Sequence, residues 1–143
     1  MVIDAKDKAL IALLAANSRM PTAELARKLN LSRSTVKDRI ERLEKRNIIT
    51  GYTVRFSEEY AEGQIQAHVM ISSDPKQAAQ IVRSLRAMPV VKSLYAVNGS
   101  FDMIAIVSAE STRALDRALD EIGHMPGIEK TVYSIILSTK FEG

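Results

Sequence analysis

One carboxylate interrupts the apolar stretch YAVNGSFDMIAIV, which occupies residues 95–107. Within it, Asn98 and Gly99 predict a hairpin turn of type I′, because both residue types tolerate the positive φ that this turn requires. The turn leaves Asp102 unexplained, since aspartate is depleted in strands and its immediate neighbours in the sequence are apolar. A charged group at this position therefore needs a partner.

The chemistry available to this stretch is the recognition of a small zwitterion. An α-amino acid presents an ammonium and a carboxylate about 3 Å apart, which call for a charged acceptor and for amide donors respectively. Asp102 can accept from the ammonium, and the backbone of Gly99 and Ser100 can approach the carboxylate. The candidate ligand contacts are Asn98, Gly99, Ser100 and Asp102. Alternatively, Asp102 caps exposed amides or pairs with an arginine, and the residue types alone leave both interpretations open.

A second set of side chains lies in the basic segment RSTVKDRIERLEKR, residues 33–46. A helix here would turn Val36, Ile40 and Leu43 inward and a polar, basic face outward. Short donors and acceptors in its first turns suit the base edges of duplex DNA, and cations nearby suit the phosphates. The candidate base contacts are Ser34, Thr35, Lys37 and Asp38, flanked by Arg33, Arg39 and Arg42. The last two arginines suit either the DNA backbone or an internal ion pair, and a solvated face of an ordinary amphipathic helix is the alternative interpretation of the whole segment.

Two further helices are expected to position this segment. The spacing of apolar residues predicts a first helix from an N-cap at Asp4 to about Asn17, and a short second helix with an N-cap at Thr22. A tight connection then leads to Ser32, which can cap the third helix. Two short helices joined in this way form the helix-turn-helix pattern. The segment at 48–56, β-branched and aromatic around a glycine, predicts a small strand or wing.

Charge is distributed unevenly along the chain. The 143 residues include 20 lysines and arginines and 17 acids. Residues 1–56 hold 12 of the cations and 6 of the acids, an excess of 6 positive charges, whereas the remainder holds 8 cations and 11 acids. The basic part of the chain suits a polyanion such as DNA.

The second part of the sequence alternates strand and helix patterns. Amphipathic helices are predicted after Asp74-Pro75 and after a cap at Ser111. Strands are predicted at 65–71, 90–97, 100–109 and 128–141. The resulting order βαββαβ indicates a ferredoxin-like sandwich, so the whole chain is expected to be of the α+β class.

The sequence also predicts where the chain divides and what it assembles with. Residues 57–63, SEEYAEG, are polar and end in glycine, which is typical of a linker between domains at 1–56 and 64–143. Two helices can cover only one face of a four-stranded sheet, yet the last strand is apolar on both faces. The uncovered face needs a partner, so we expect at least a homodimer.

Composition disfavours several other classes of protein. The chain has no cysteine, and His68 and His124 are too isolated for a convincing metal site. A glycine-rich phosphate loop and a recognisable nucleophile context are also missing, so we expect no metal, no cofactor and no enzymatic activity. No apolar stretch approaches the roughly 18 residues of a membrane helix, and the first residues lack a signal-peptide core. These features predict a soluble, cytoplasmic protein.

Three segments occur in an order that is specific to one family: IDAKDKALIALL, LARKLNLSRSTVKDRIERLEKRNIITGY and VNGSFD. Together with the βαββαβ half they resemble the leucine-responsive and asparagine-responsive (Lrp/AsnC) transcriptional regulators, across essentially the whole chain. The resemblance implies an N-terminal winged helix-turn-helix followed by a RAM-type sandwich, and DNA binding that responds to a small amino acid. It implies dimers that assemble into octamers, with the effector held where dimers meet. The implied opposite wall of that site consists of Thr131, Tyr133 and Ser134.

The resemblance leaves the effector and part of the function open. The chain departs from the usual family pattern at four positions, Asn47, Ser100, Met103 and Tyr133, where glycine, an acid, an aromatic residue and threonine are common. An architectural DNA-binding protein that needs no effector is the main alternative, and a metabolite-binding module or enzyme built on the sandwich is the other. Affinity for unrelated DNA sequences at moderate salt discriminates the first alternative, since sequence-independent binding is electrostatic.

Overall fold

The computed structural model describes residues 3–57, 60 and 63–142. The chain forms two compact units, Met1–Arg55 and Phe56–Gly143. Each unit has its own hydrophobic core. The linker predicted at 57–63 lies largely outside the described residues.

The first unit is built from three helices: α1 (Ala5–Ala16), α2 (Thr22–Leu29) and α3 (Arg33–Lys45). The predicted N-caps of α1 and α3 are confirmed. Asp4 accepts from the N–H of Asp7 at 2.8 Å, and Ser32 accepts from the N–H of Thr35 at 3.1 Å. These bonds satisfy N–H groups that a first helical turn leaves without partners. Apolar residues at helical spacing form the core: Leu10, Leu14, Leu25, Ala26, Leu29, Val36 and Leu43.

Two local predictions in this unit are wrong. Thr22 is the first residue of α2 rather than its cap, because the carbonyl of Pro21 already accepts from the N–H groups of Glu24 and Leu25, both at 3.0 Å. Residues 48–57, all of them described, form no strand. A strand needs a neighbour for its backbone hydrogen bonds, and the described part of this unit contains no other strand.

The second unit has the predicted βαββαβ order. Its strands are β1 (Ile65–Ser73), β2 (Val91–Ala96), β3 (Met103–Ala109) and β4 (Ile128–Ile135). They form one antiparallel sheet in the order β2-β3-β1-β4. A 3-10 turn at Pro75–Gln77 and helix α4 (Ala78–Arg86) connect β1 to β2, and α5 (Thr112–Gly123) connects β3 to β4. This is a ferredoxin-like sandwich, so the predicted α+β fold class is confirmed.

The two faces of the sheet differ in their surroundings. Ala67, Val69 and Ile71 of β1 alternate along the strand and are fully buried in a core shared with α4 and α5. Cross-strand pairing places Met70 beside Ile104 and Val132 on the opposite face. That face, called here the open face, carries apolar side chains that stay partly or well exposed: Met70, Tyr95, Ile104, Ile106 and Val132.

The last strand is shorter than the sequence pattern predicts. It ends at Ile135 instead of continuing to residue 141. Its partner β1 begins at Ile65, and the final backbone bond of this ladder joins the N–H of Ile136 to the carbonyl of Gln66 at 2.8 Å. Beyond that point the described residues offer β4 no partner strand, and Leu137 and Phe141 are 93% and 89% exposed.

Candidate nucleic-acid interface and hairpin site

The predicted base contacts in the first two turns of α3 differ in exposure and in hydrogen bonding. Ser34, Lys37 and Asp38 are exposed, and so is the flanking Arg33. Thr35 is half-buried, and its hydroxyl lies 2.7 Å from that of Ser32. The hydroxyl of Ser34 also lies 3.2 Å from that of Ser32. The cap therefore occupies part of the hydrogen-bonding capacity of Thr35 and Ser34, whereas Arg33, Lys37 and Asp38 are available to a ligand.

Two central arginines of α3 are engaged within the unit. Nη1 of Arg39 donates to both carboxylate oxygens of Asp4 at 2.8 Å and to Oδ1 of Asp7 at 2.9 Å. Nη2 of Arg42 lies 3.5 Å from the same Oδ1 of Asp7. Of the two roles predicted for these arginines, the internal ion pair is the one present in this structure. These four residues are called here the α1–α3 ion-pair network.

The exposure of the network falls from its rim to its centre. The side chain of Asp4 is 51% exposed, that of Arg39 20% and that of Asp7 only 2%. Hydrogen bonds from Arg39 hold the pKa of Asp4 below its ordinary value, and the same bonds raise the pKa of Arg39. Asp4 and Arg39 therefore stay charged at neutral pH.

Sequence analysis did not single out Asp7. Asp7 occupies the third position of α1, and its carboxylate accepts from the N–H of Asp4 at 3.4 Å while Asp4 caps Asp7 in return. The spacing Asp-x-x-Asp at the start of a helix is the signal for such a capping box. It does not reveal the arginine partners, because Arg39 is 32 residues away in sequence.

A contact that the sequence did not predict fastens the segment after α3. The hydroxyl of Tyr52 donates to Oε2 of Glu44 at 3.0 Å. Burial, and next the hydrogen bond to Glu44, raise the pKa of Tyr52. The tyrosine therefore remains a neutral donor at physiological pH.

The predicted type I′ turn is not formed at the hairpin. Gly99 has φ +113, but Asn98 is not among the residues with positive φ, whereas a type I′ turn requires it at both central positions. The strands are joined by a longer loop, residues 97–102, which the N–H of Val97 closes onto the carbonyl of Asp102 at 2.9 Å. A loop of this length reverses the chain with one left-handed residue, and glycine supplies it.

Asp102 caps the neighbouring strand. One of its oxygens, Oδ2, accepts from the backbone N–H of Ser73 at 2.7 Å and lies 3.5 Å from the hydroxyl of that buried residue. Its own N–H donates to the carbonyl of Ile71 at 2.8 Å. The side chain is exposed, and its second oxygen accepts no hydrogen bond from the described residues. The capping role is therefore present, and one oxygen remains for a ligand.

The residues of the implied opposite wall do not share one face of the sheet. Thr131 and Tyr133 pair with Ile71 and Val69, on the face that packs against the helices, whereas Ser134 pairs with His68 on the open face. Because Asp102 and Thr131 approach β1 from opposite sides, they are about two strand spacings, or ~10 Å, apart. The structure thus brings Thr131 near the hairpin end of the sheet and separates Ser134 from it.

A cation beside the hairpin was also missed by the sequence analysis. Nζ of Lys130 lies 5.9 Å from the ring centroid of Phe101, which precedes Asp102 in the loop. Lys130 is on β4 and pairs with Ser72, so this contact crosses β1. A lysine above an aromatic ring gains a favourable cation–π interaction, and here it places a positive charge against the residue that precedes Asp102.

Two other kinds of site are not found in the part of the chain that the structure describes. Its histidines, aspartates and glutamates form no group of three or more that could hold a metal ion. Its longest helix, α3, has 13 residues, and no described helix meets the length and apolarity needed to cross a membrane.

Comparison with known families assigns both units. The sequence profile of the AsnC-type helix-turn-helix domain matches residues 3–44, and that of the Lrp/AsnC ligand binding domain matches residues 66–143. Among curated proteins, the HTH-type transcriptional regulator LysM of Saccharolobus solfataricus is 31% identical over 97% of this chain and 96% of its own length. The HTH-type transcriptional regulator LrpA of Pyrococcus horikoshii is 28% identical over 95% of this chain and 97% of its own.

Solved structures show the same architecture. The feast or famine regulatory protein of M. tuberculosis, complexed with L-methionine, is 33% identical, with a TM-score of 0.87 over 99% of this chain and 96% of that one. AsnC of E. coli has the same TM-score of 0.87 at 23% identity, over 100% of this chain and 97% of that one, which is a likeness of fold.

The Asp102 cap predicts a loss of stability that needs no ligand. We expect Asp102→Ala to lower the free energy of unfolding by about 1–3 kcal/mol, because it leaves the N–H of the buried Ser73 without its acceptor. Asp102→Asn keeps an oxygen acceptor and should lose less. Urea denaturation of the full chain, followed by circular dichroism without added amino acids, measures the change. Asp116→Ala, on the exposed side of α5, is the control, and its free energy of unfolding should stay within about 0.5 kcal/mol of wild type. Equal stability of Asp102→Ala and wild type would contradict the capping role.

Proposed function

Because the chain belongs to the Lrp/AsnC family of helix-turn-helix transcriptional regulators, we propose that it binds specific sites in duplex DNA and that a small amino acid controls this binding. The observation that carries the first half is the exposed start of α3, where the side chains of Arg33, Ser34, Lys37 and Asp38 face solvent. The proposed place of action is the cytoplasm, since the named relatives come from archaea and bacteria, whose DNA lies there.

The proposed DNA interface uses the N-terminal turns of α3. A recognition helix enters the major groove with these turns against the base edges. Lys37 and Ser34 supply donors, and Asp38 supplies an acceptor suited to an amino group of a base. Arg33 and the excess positive charge of residues 1–56 supply the attraction to phosphates. Thr35 contributes less, because its hydroxyl lies against Ser32.

The proposed effector is an α-amino acid held at the hairpin. The free oxygen of Asp102 would accept from its ammonium, and amides at Asn98, Gly99 and Ser100 would donate to its carboxylate. Gly99 has φ +113, at which any other residue would be strained. No atom lies within 4 Å of the position that a Cβ would take, so a ligand can approach the backbone there. A relative of 33% identity was solved with L-methionine, which supports an amino acid as the class of ligand.

The proposed site is completed by another copy of the chain. Thr131 lies at the hairpin end of the sheet, but Ser134 faces the other way and Tyr133 is further along β4, 51% exposed. Successive residues of a strand point to opposite faces, so Tyr133 and Ser134 cannot line the same wall. We therefore assign Ser134 to the wall that a neighbouring copy provides, whereas Tyr133 stays on the face of Thr131. Thr131 and the nearby cation Lys130 would belong to the same copy as Asp102.

The open face supports assembly into at least a homodimer. Tyr95 and Val132 on this face are 55% and 41% exposed, and Met70, Ile104 and Ile106 lie between them. A contiguous apolar patch on a sheet is typical of an interaction site. A second copy would cover it with an identical patch, as two-fold symmetry requires, and would place two recognition helices for paired half-sites. Dimers joined at the hairpins would give the proposed octamer.

One observation favours a second candidate function. The hydrogen bond from Ser73 already explains why a carboxylate stands at position 102. If the hairpin has only this structural role, the chain is an architectural DNA-binding protein that responds to no effector. DNA affinity across unrelated sequences and the response to amino acids discriminate the two functions.

The DNA interface predicts that Lys37→Ala weakens binding to the preferred duplex by about 1–3 kcal/mol and relaxes base preference at one position, because Lys37 is proposed to read a base edge. The duplex is first selected from a random library with wild-type protein, and affinity is then measured by fluorescence anisotropy. Lys45→Ala, in the last turn of α3, is the matched control and should lose less affinity. Equal affinity of wild type and an Arg33→Ala, Lys37→Ala double variant for the selected duplex would refute this interface.

The hairpin site predicts that at least one of the twenty standard amino acids raises the melting temperature of the wild-type protein, because a ligand that binds only the folded state stabilises it. Asp102→Asn should abolish this shift, since the amide keeps an acceptor for Ser73 but loses the charge that the ammonium requires. Asp116→Asn should keep it. If no amino acid at millimolar concentration shifts the wild type, or if Asp102→Asn responds fully, the effector site is wrong.

The open face predicts an oligomer that a charge can break. Wild-type protein at micromolar concentration should scatter light as a dimer or larger. Ile104→Glu should shift it to smaller species, because the new carboxylate would be buried between Met70 and Tyr95 without a charged partner. Arg117→Glu, on an exposed position of α5, should leave the mass unchanged. Circular dichroism confirms that each variant is folded. A monomeric wild type would rule out the assembly.

A further inference from the structure

The α1–α3 ion-pair network lies behind the proposed DNA interface rather than in it. Its central carboxylate, Asp7, is 2% exposed and sits in the first turn of α1, so it cannot touch DNA while the helix is folded. Arg39 uses one nitrogen to reach three carboxylate oxygens of Asp4 and Asp7. The side chain of Arg39 is only 20% exposed, so it cannot turn toward a phosphate without breaking these bonds within the unit.

The network supplies the directional contacts between α1 and α3. The apolar core around Val36 and Leu43 holds the helices together, but hydrophobic contact is non-directional and tolerates small rotations or shifts. Charge-assisted hydrogen bonds from a planar guanidinium are directional. The buried carboxylate also cannot lose them cheaply, because an uncompensated charge in the interior is strongly unfavourable. Rotation of α3 about its axis would break these bonds.

The orientation of α3 determines where the proposed base contacts point. Lys37 and Asp38 immediately precede Arg39 on the same helix, and about 100° of helical rotation separates successive residues. Fixing the guanidinium of Arg39 against Asp7 therefore fixes the direction of the neighbouring exposed side chains. Base recognition depends on that direction, whereas attraction to phosphates depends mainly on charge.

We infer that Arg39, held by Asp4 and the buried Asp7, is a positioning residue that aims α3 for sequence-specific recognition, and that it is not a phosphate contact. Arg42 supports this arrangement, with its Nη2 3.5 Å from Oδ1 of Asp7. This inference rests on the proposed DNA-binding function and deepens it. It also assigns Asp7, on a different helix, a part in base discrimination.

Neutralising Asp7 tests the inference, because a purely electrostatic role and a positioning role predict opposite changes in DNA affinity. Removing a negative charge next to a polyanion, and releasing Arg39 and Arg42 to phosphates, would by electrostatics alone raise DNA affinity. Positioning instead predicts that Asp7→Asn binds the selected duplex about tenfold more weakly, the value of one well-made base contact, while affinity for an unrelated duplex does not fall. Glu41→Gln is the matched control: it removes an exposed acid from α3 that forms no ion pair with the described residues, and it should not weaken binding.

A second variant separates the roles while keeping the charge. Arg39→Lys retains a cation that can contact a phosphate, but its shorter side chain and freely rotating ammonium lose the rigid geometry with which Nη1 of Arg39 bridges two carboxylates. We expect it to lose specific affinity as Asp7→Asn does, with an unchanged slope of log affinity against log salt. Arg33→Ala, which removes a proposed phosphate contact, should reduce that slope by about 1. Asp4→Asn, which keeps its capping oxygen on the exposed rim, is the milder variant if Asp7→Asn does not fold.

The experiments distinguish a failure of the positioning role from a failure of the proposed DNA-binding function. All measurements use the full chain, with the folded fraction checked by circular dichroism, because partial unfolding would weaken specific and unrelated duplexes equally. If wild type prefers no duplex sequence, the proposed function fails and the inference fails with it. If wild type is specific but Asp7→Asn and Arg39→Lys keep their full preference for the selected duplex, only the positioning role is overturned. A reduced salt slope in Arg39→Ala relative to Arg39→Lys would likewise assign Arg39 to a phosphate.

Discussion

A polar group that the chain buries must find a partner inside the fold, and this constraint shapes both candidate sites. No buried side-chain nitrogen or oxygen among the described residues lacks a hydrogen-bond partner. In the first unit the group is the carboxylate of Asp7, which draws Arg39 across from α3. In the second it is the N–H of Ser73, which draws the carboxylate of Asp102 across from the hairpin. Each pairing joins two elements that are distant in sequence and sets the angle of the one proposed to meet a ligand.

The two pairings differ in which hydrogen-bonding groups they leave for a ligand. Arg39 is mostly buried, and its Nη1 is bonded to two carboxylates, so the proposed DNA contacts are the exposed side chains that precede it on α3. Asp102 uses one oxygen for the strand and keeps the other. A carboxylate that is already oriented by a backbone amide needs less reordering when a ligand arrives, which lowers the entropic cost of binding. Structural and ligand-binding roles are therefore compatible at Asp102, and the capping bond does not argue against an effector.

The sandwich explains why the second unit would act as an assembly and not alone. Its helices protect one face of the sheet, and the open face keeps Tyr95, Val132 and their apolar neighbours in contact with solvent. The split of Thr131 and Ser134 between the two faces of β4 has the same origin, because successive residues of a strand point to opposite sides. A single copy thus cannot line one wall with both residues. In the proposed regulator, covering the open face and completing the effector site are linked through the same strand.

Local patterns in the sequence determined the helices, the caps at Asp4 and Ser32 and the βαββαβ order of elements along the chain, because each depends on residue types a few positions apart. Three longer segments in a fixed order indicated the family. The local patterns failed where a distant partner decides. Residues 48–57 have strand composition but no strand to pair with, β4 stops where β1 begins, and Asn98 does not take up the turn that its type allows. Only the tertiary structure chose between the alternatives for Arg39 and supplied a partner for Asp102. Asp4, a partner of Arg39, lies 35 residues from it in sequence, and Ser73 lies 29 residues from Asp102. Sequence patterns relate residues within one helix or strand, so they cannot predict contacts that form only when distant segments pack together.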